Sequence, residues 1–476
     1  MFLTLLSGFL ALAVWINSKE IILYKWVQLV PADEGGCRGA TENKDKCALQ
    51  ALVRTIVKAD QDCPALSFIE NGAVPMKMTS RKLAINEDFP VDVCELLLPP
   101  SSPSGGSGKL IRFPDDSTLP IPDLFAMNSS KVAFIGDTGC RGRSDGDDDQ
   151  DCDDSAEWPF EKIVDKVVNL PDIDKFPLDI VVHMGDYRYG GTQGYKGGVD
   201  SWEKWENEFF SPARPLLTAA PWIFVRGNHE ICFSHGGPGW FRFFDYEGPH
   251  QTRRCHFPNY QESLTPPYAL DIATGLRLIV LDTATAHKTV KPKVEVKAQY
   301  ETFLNGDLIN LAEDKESWVL SHVPFLAVEE DIKSPVGGEY FIPDSTDYLR
   351  KFNFDFSRAP TIKAVLAADR HGFQWTHDAL SKNKDYPVHL AIGHSGVKLD
   401  HYPNAPNPLE VEGLKWDWRN VDKFGFVVAT RMKDAQSWNF NVWLASDNDN
   451  SDFTPEYDFK LDNEEIKKAL PIEEDN

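Results

Sequence analysis

The chain has 476 residues, of which 42% are hydrophobic and 12% aromatic, and its formal net charge at pH 7 is −24. This composition excludes a globally disordered chain, and the length predicts two domains or one large domain with an appendage. The negative charge disfavours nucleic-acid binding, because lysine and arginine are needed to neutralise a phosphate backbone. A phosphate-bearing ligand would need local positive charge, most simply from a metal ion.

The first segment is apolar from Phe2 to Ile16 and is followed by polar residues. It is shorter than the roughly 20 residues that a membrane-spanning helix needs, and it is typical of a secretory signal. No lysine or arginine precedes it, which is unusual for such a signal. We predict a signal peptide or an anchor at residues 1–18. The protein is then secreted into an extracellular, periplasmic or lysosome-like compartment, and it has no membrane contact beyond this segment.

Eight cysteines lie within the first 255 residues, and none of them forms a CxxC pair. The even count favours disulfides in an exported chain, whereas buried thiols would be the interpretation for a cytosolic one. Pairing of neighbours along the chain closes short loops, and we expect that pattern among the many that are possible. The expected pairs are Cys37–Cys47, Cys63–Cys94, Cys140–Cys152 and Cys232–Cys255.

Strand-like apolar runs at residues 21–30 and 89–98 precede a stretch rich in proline, serine and glycine at residues 99–109. That composition is typical of a linker. We therefore predict a small β-rich N-terminal domain at residues 19–120. The last residues, 461–476, are charged and form a tail.

Beyond residue 130 the pattern changes, because continuous apolar runs of strand length recur between helix-permissive stretches. The runs begin at residues 131, 178, 222, 276, 317, 362, 388 and 424. Such runs are typical of strands that are buried on both faces, and their alternation with helices predicts a layered α/β domain. We assign residues 121–460 to this domain.

Four of these strands are followed directly by polar motifs. The motifs are GDTG (136–139), GDYRY (185–189), GNHE (227–230) and SHVP (321–324). They place acids, an amide and imidazoles at the carboxyl ends of strands, where α/β sheets bind ligands. A carboxylate can bridge two cations that hold a hydroxide and clamp a phosphoryl oxygen. The pattern therefore predicts a binuclear metal site.

The four motifs resemble the calcineurin-like metallophosphoesterase family over about residues 130–395, and GDYRY resembles the purple acid phosphatase branch of that family. The resemblance implies a layered αββα sandwich that hydrolyses phosphate esters with a metal-bound hydroxide. It also implies iron paired with zinc or manganese. The expected substrate is a phosphomonoester rather than a diester, carried by a small molecule or a phosphoprotein.

The resemblance further implies two metal positions that share one carboxylate. The first would use Asp137, Asp186, Tyr189 and His371, and the second would use Asp186, Asn228, His322 and Asp369. His229 would contact the phosphate or assist the leaving group. In the purple branch, the tyrosine at the position of Tyr189 accompanies a ferric ion.

The last family motif, GHxH, is altered in this chain. In the register that we favour, residues 368–371 read ADRH, so that Asp369 replaces the first histidine and His371 is kept. The competing stretch is GHSG at residues 393–396, with His394 as a bystander that could still reach the site. Asp369 either ligates, which favours harder ions such as manganese or iron, or is too short to reach. In the second case the chain is a catalytically impaired binding protein with the same fold.

Two further polar features have structural interpretations. His183 lies inside an apolar run and is interpreted as a core histidine with a hydrogen-bonding neighbour. The acidic run at residues 145–154 is interpreted as a solvated loop near the site that disfavours polyanions, with a weak calcium site as the alternative. A serine hydrolase is disfavoured, because no GxSxG motif follows a strand. The sequence carries no prediction of the oligomeric state.

Overall fold

The computed structural model describes most of the chain in separate ranges. These are residues 22–32, 49–69, 74–83, 85–98, 109–122, 130–142, 150–170, 178–189, 200–232, 236–247, 253–255, 264–286, 294–327, 329–330, 340–341, 356–378, 387–400, 409–411, 414–432, 437–446, 449–461 and 470–471. The predicted signal segment, the Cys37–Cys47 pair, most of the linker-like stretch and most of the charged tail lie outside these residues.

Within the described residues, one large sheet contains eleven strands. In pairing order they are β25 (Leu470–Pro471), β24 (Asp449–Leu461), β23 (Trp438–Ser446), β22 (Gly425–Arg431), β9 (Lys131–Ile135), β10 (Ile180–His183), β11 (Trp222–Phe224), β1 (Ile22–Pro31), β2 (Leu49–Lys58), β6 (Val91–Leu97) and β5 (Thr79–Ser80). The central strands β9, β10, β11 and β1 are parallel, and they are flanked by antiparallel strands on both sides.

A second sheet contains eight strands. In pairing order they are β12 (Tyr268–Ala273), β13 (Leu276–Val280), β14 (Glu316–Leu320), β17 (Ile362–Ala367), β19 (Val388–Ile392), β18 (Phe373–Asp378), β21 (Leu414–Val421) and β20 (Leu409–Val411). Smaller pairings join β15 (Glu329–Glu330) to β16 (Tyr340–Phe341), and β4 (Met76–Lys77), β3 (Ala65–Phe68), β7 (Lys109–Arg112) and β8 (Thr118–Ile121) in that order. The second sheet is parallel from β13 through β14 and β17 to β19.

Helices cover the outer face of each sheet. They are α1 (Phe160–Val168), α2 (Trp202–Trp205), which continues through a π-helical turn (Glu206–Phe210) into α3 (Ser211–Leu217), α4 (Gly237–Phe243), and α5 (Val294–Thr302), which continues through a second π-helical turn (Phe303–Asp307) into α6 (Leu308–Ala312). Short 3₁₀ turns occur at Asn228–Glu230, Ala284–Ala286 and Phe356–Arg358. In the described residues, none of these helices has both the length and the apolar character that crossing a bilayer requires.

The core forms where the two sheets pack face to face. Successive side chains of a strand point to opposite faces, so Val132 and Phe134 enter the core between the sheets while Ala133 and Ile135 pack towards the outer helices. Leu278 of β13 enters the same inter-sheet core from the other side. This arrangement confirms the predicted αββα sandwich and explains why the strand sequences are continuously apolar.

The N-terminal strands extend the sheet that carries β9. Strand β1 pairs in parallel with β11, with Gln28 opposite Trp222. The buried Arg54 of β2 donates to the carbonyl oxygens of Phe243 and Asp245, each at 2.7 Å, and binds Glu95 at 3.2 Å. A guanidinium is favourable there, because the carbonyl groups at the end of α4 lack helical partners. The division of the chain near residue 120 stays a prediction, since the stretch at residues 99–108 lies outside the described ranges.

Three predicted disulfides are confirmed, namely Cys63–Cys94, Cys140–Cys152 and Cys232–Cys255. The first ties the loop after β2 to β6. The other two begin directly after the GDTG motif and shortly after the GNHE motif, so each closes a loop next to a predicted site residue.

We expect the substitution Arg54→Met to lower the free energy of unfolding by about 2 kcal/mol, because it removes a donor from the buried Phe243 carbonyl and leaves Arg81 alone to bind Glu95 and the Asp245 carbonyl. Urea unfolding followed by tryptophan fluorescence measures the change. Arg112→Met is the matched control, since the side chain of Arg112 is exposed. A loss below about 1 kcal/mol for Arg54→Met would show that the contact between the N-terminal strands and α4 contributes little.

Candidate metal centre

The predicted strand-tip residues meet where the carboxyl ends of strands from both sheets come together. Asp137 follows β9 and Asp186 follows β10 in the first sheet, and His322 follows β14 in the second. One donor atom from each of these three buried side chains lies within 4.8 Å of the others. The sandwich therefore brings together, in a small volume, groups that are far apart in sequence.

Left-handed backbone conformations present the carboxylates. The φ angles of Asp137, Asp186 and Asp369 are 54°, 56° and 63°. Aspartate is among the few residues that adopt this region readily. Glycine is also needed where two of these loops approach each other. A Cβ atom at Gly227, which precedes Asn228, would lie 2.1 Å from Oδ1 of Asp186. The glycine-aspartate pattern is thus a sharp turn that directs an acid into the site.

The first predicted metal position is assembled around Asp137. The hydroxyl of Tyr189 donates to Oδ1 of Asp137 at 2.8 Å and lies 3.1 Å from Nε2 of His371. Nε2 of His371 is itself 3.6 Å from Oδ1 of Asp137. Burial, together with the charge of Asp137, raises the pKa of Tyr189 well above its ordinary value. A cation at this point would have the opposite effect and favour the phenolate.

The second predicted position is assembled around His322. Its Nε2 lies 2.7 Å from the side-chain amide of Asn228, 3.3 Å from Oδ1 of Asp186 and 3.7 Å from Oδ1 of Asp369. Nδ1 of His322 donates to the carbonyl oxygen of Met184 at 2.9 Å, which directs Nε2 towards the acids. The polar atoms of Asn228, Asp186 and Asp369 therefore all face Nε2 of His322, as the ligands of one cation would.

His229 lies on the open side of the two groups. Its backbone N–H donates to Oδ1 of Asp186 at 2.9 Å, and its Nε2 is 3.9 Å from Oδ2 of the same residue. Its ring centre is 4.1 Å from that of Tyr189, and its side chain is 13% exposed, whereas that of Asp186 is 2% exposed. Burial lowers the pKa of His229 to about 4, against the opposing charge of Asp186. The imidazole is therefore neutral near pH 7 and accessible to a ligand.

Asp369 and His371 of the altered motif lie beside Asp137, at the same site. The backbone N–H of Asp369 donates to Oδ2 of Asp137 at 3.1 Å, and Oδ2 of Asp369 accepts a short hydrogen bond from Arg370. His394, from the competing stretch, is buried against Phe373 and Gly425 instead. The geometry thus favours the register in which Asp369 and His371 stand for the GHxH histidines. Whether Asp369 ligates a cation stays a prediction.

The family model of calcineurin-like phosphoesterases matches residues 130–428. The chain belongs to this family. No curated protein matches the chain. The matched residues contain every predicted ligand, whereas the purple acid phosphatase branch stays a prediction.

The donor set fits the cations that a calcineurin-like phosphoesterase requires. It offers three carboxylates, an amide oxygen, a phenol and two imidazoles, which suit hard and borderline metal ions. Burial and the charge of Asp186 raise the pKa of Asp137 well above its ordinary value, although His322 opposes this. Burial alone would lower the pKa of His322, but the neighbouring carboxylates of Asp186, Asp137 and Asp369 raise it to about 10. Without a cation, protons therefore balance part of the negative charge.

Two supporting acids were not predicted as site residues. Glu230 accepts backbone hydrogen bonds from Asp186, Tyr187 and Gly227 at 2.9 to 3.1 Å, which ties two metal-site loops together. Burial and the charge of Asp186 raise the pKa of Glu230 to about 8. Asp400 accepts the backbone N–H of His371 at 3.2 Å. Glu230 is the last residue of GNHE, so the motif could have predicted its place at the site, whereas Asp400 belongs to no motif.

The interpretation of His183 as a core histidine is confirmed. Its ring is fully buried and stacks on Tyr187 at 3.8 Å. Nδ1 accepts the backbone N–H of Gly185 at 3.2 Å, and Nε2 lies 2.8 Å from Oγ1 of Thr138. His183 therefore contacts both aspartate turns, through Gly185 and Thr138, and stabilises them.

We expect the affinity of the metal-free protein for Mn²⁺ to rise with pH between about pH 6 and about pH 8. His322 carries a proton below its pKa of about 10, and cation binding must displace that proton. The gain is roughly tenfold per pH unit for each proton released.

Calorimetric titration of chelator-treated protein in two buffers of different ionisation enthalpy counts the released protons. An affinity that is constant over this pH range, with no proton release, would contradict a protonated His322 at the binding site.

Proposed function

We propose that this calcineurin-like phosphoesterase hydrolyses phosphate monoesters with two cations that share Asp186. The observation that carries the proposal is the approach of Asp137, Asp186 and His322 to within 4.8 Å of one another at the junction of the two sheets. The contacts of Tyr189 and His371 on one side of Asp137, and of Asn228 and Asp369 on the other side of His322, support two positions rather than one.

The residues of the chain have separate roles in this proposal. When bound, the two cations would neutralise phosphoryl oxygens and lower the pKa of a water molecule. Asp186 has a donor atom within 4.8 Å of one from Asp137 and one from His322, and the carbonyl of Met184 keeps Nε2 of His322 directed at the second position. His229, which lies on the accessible side and is neutral near pH 7, would stabilise the leaving oxygen by donating a hydrogen bond to it from the ring.

The nature of the cations and the location of the protein follow as further parts of the proposal. We propose iron at the position of Tyr189, paired with zinc or manganese, because a phenol and carboxylates suit a hard ion. Three disulfides support export to an oxidising compartment. The substrates would be small phosphate esters or phosphoproteins rather than nucleic acids, given the net charge of −24.

We expect Asp186→Asn to lower kcat/KM for p-nitrophenyl phosphate by about 1,000-fold or more, because both cations lose a shared ligand.

His229→Gln should lower kcat by about 100-fold and leave the metal content unchanged. Asp165→Asn, an exposed change on α1, is the control.

Elemental analysis accompanies this assay. Two cations per chain with turnover in the unmodified protein would support the hydrolase. One cation or none, without turnover, would favour the binding-protein alternative.

The binding-protein alternative rests on one specific contact. The guanidinium of Arg370 binds Oδ2 of Asp369, so a positive charge already lies beside the second position. If that contact holds Asp369 away from a cation, the second cation would bind weakly and hydrolysis would be slow. The fold would then serve to bind a ligand or a partner.

The substitution Asp369→His tests this alternative. Histidine also tolerates a left-handed backbone such as that of residue 369, at φ 63°. It would restore the family motif, and we expect zinc affinity at the second position to rise about tenfold relative to manganese affinity.

Asp369→Asn is the matched variant, because it keeps the shape and removes the charge. If Asp369 ligates, this variant loses the second cation in a calorimetric titration. Equal cation binding by Asp369→Asn and the unmodified protein would exclude Asp369 as a ligand.

A further inference from the structure

Arg141 lies at the rim of the candidate metal centre. Its guanidinium carbon is 5.3 Å from the centre of the Tyr189 ring, and the ring of His229 is 4.1 Å from that same ring. Arg141, Tyr189 and His229 are partly exposed, whereas Asp137 and Asp186 are buried. The partly exposed residues mark the side from which a ligand enters, and Arg141 is the one that carries a permanent positive charge.

The backbone of Arg141 is fixed. Its N–H donates to Oε1 of Gln150 at 3.0 Å, and its carbonyl accepts the N–H of Gln150 at 2.7 Å. Gln150 is buried and also donates to the carbonyl of Gly396 at 2.9 Å. The adjacent Cys140 is bonded to Cys152. Because this frame fixes the backbone before any ligand arrives, binding through Arg141 would require ordering of its side chain only.

The guanidinium of Arg141 has no carboxylate partner among the ion pairs that connect the described residues, whereas the other arginine at the site is engaged. Arg370 binds Asp369, and the charge of Asp369 is thereby matched. Arg141 instead contacts an aromatic ring. A guanidinium over an aromatic ring keeps planar N–H donors that suit a carboxylate or a phosphate group.

We propose that Arg141 recognises a second anionic group on the alcohol portion of the substrate, so that the preferred substrates are phosphate monoesters that carry a carboxylate or a further phosphate. This inference rests on the proposed function of the metal centre. Arg141 would bind the alcohol portion of the substrate, because Arg141 and His229 contact the same ring and His229 would assist the leaving oxygen in the proposed function. In a chain of net charge −24, one guanidinium on a fixed backbone would select such an anion by local attraction.

Two esters that differ in one carboxylate test the proposal, namely phenyl phosphate and 4-carboxyphenyl phosphate. With the metal-loaded full chain, kcat/KM should be about tenfold higher for the carboxylated ester. Arg141→Met should abolish this preference, and Arg141→Lys should keep part of it, since lysine retains the charge but lacks the planar donors.

The small difference in leaving-group pKa affects all variants equally, and Arg112→Met serves as an exposed control. An unchanged preference in Arg141→Met would overturn the inference.

A binding measurement separates this inference from the proposed hydrolysis. Calorimetry compares phenylphosphonate with 4-carboxyphenylphosphonate, which have no ester bond to cleave. Tighter binding of the carboxylated compound that Arg141→Met removes would support the role of Arg141 even if no ester were hydrolysed. Hydrolysis of both esters at equal rates, with equal binding of both phosphonates, would retain the hydrolase and refute the role of Arg141.

Discussion

The mutual repulsion of buried carboxylates is the constraint on which the site depends. Asp137, Asp186 and Asp369 are each at most 6% exposed, and each has a left-handed backbone, whose cost is smaller for aspartate than for most residues. Burying several like charges together adds a larger unfavourable term. The positive charges of His322 and Arg370 offset part of this unfavourable energy. A bound cation would relieve the remainder, so cation binding and stability of the fold are coupled.

Rigid packing around the three turns prevents the acids from separating. Glu230 binds the backbone N–H groups of both the Asp186 turn and Gly227. Oγ of Ser395 accepts the N–H of Gly136 at 3.2 Å, and Val397 donates to the carbonyl of Asp137 at 2.8 Å. These contacts come from strands of both sheets, so the inter-sheet core and the charged site require each other. This preorganisation keeps ligands in place before a cation arrives.

The site was predictable from sequence to the extent that its signals are local. Each ligand motif directly follows an apolar run, so the strand and its terminal acid are visible together, and the αββα layers follow from the same runs. The position of β1 beside β11 was not predictable, because a composition rich in proline and serine near residue 100 indicates exposure and says nothing about strand pairing. Asp400 acts through one backbone N–H of His371, a contact that leaves no pattern in the sequence.

The charge of Asp369 in the altered GHxH motif is matched by the next residue. Replacing a neutral histidine with Asp369 adds a negative charge to a site that already holds two buried carboxylates, and the next residue, Arg370, returns a positive charge by binding Oδ2. The other oxygen, Oδ1, still faces His322 at 3.7 Å. The formal charge of the pair is therefore the same as that of a neutral histidine beside a neutral residue, while the atom offered to a cation would be an oxygen instead of a nitrogen. If Asp369 ligates, as we propose, the change would act on which cation is preferred, because hard ions favour oxygen donors, more than on whether a cation is attracted.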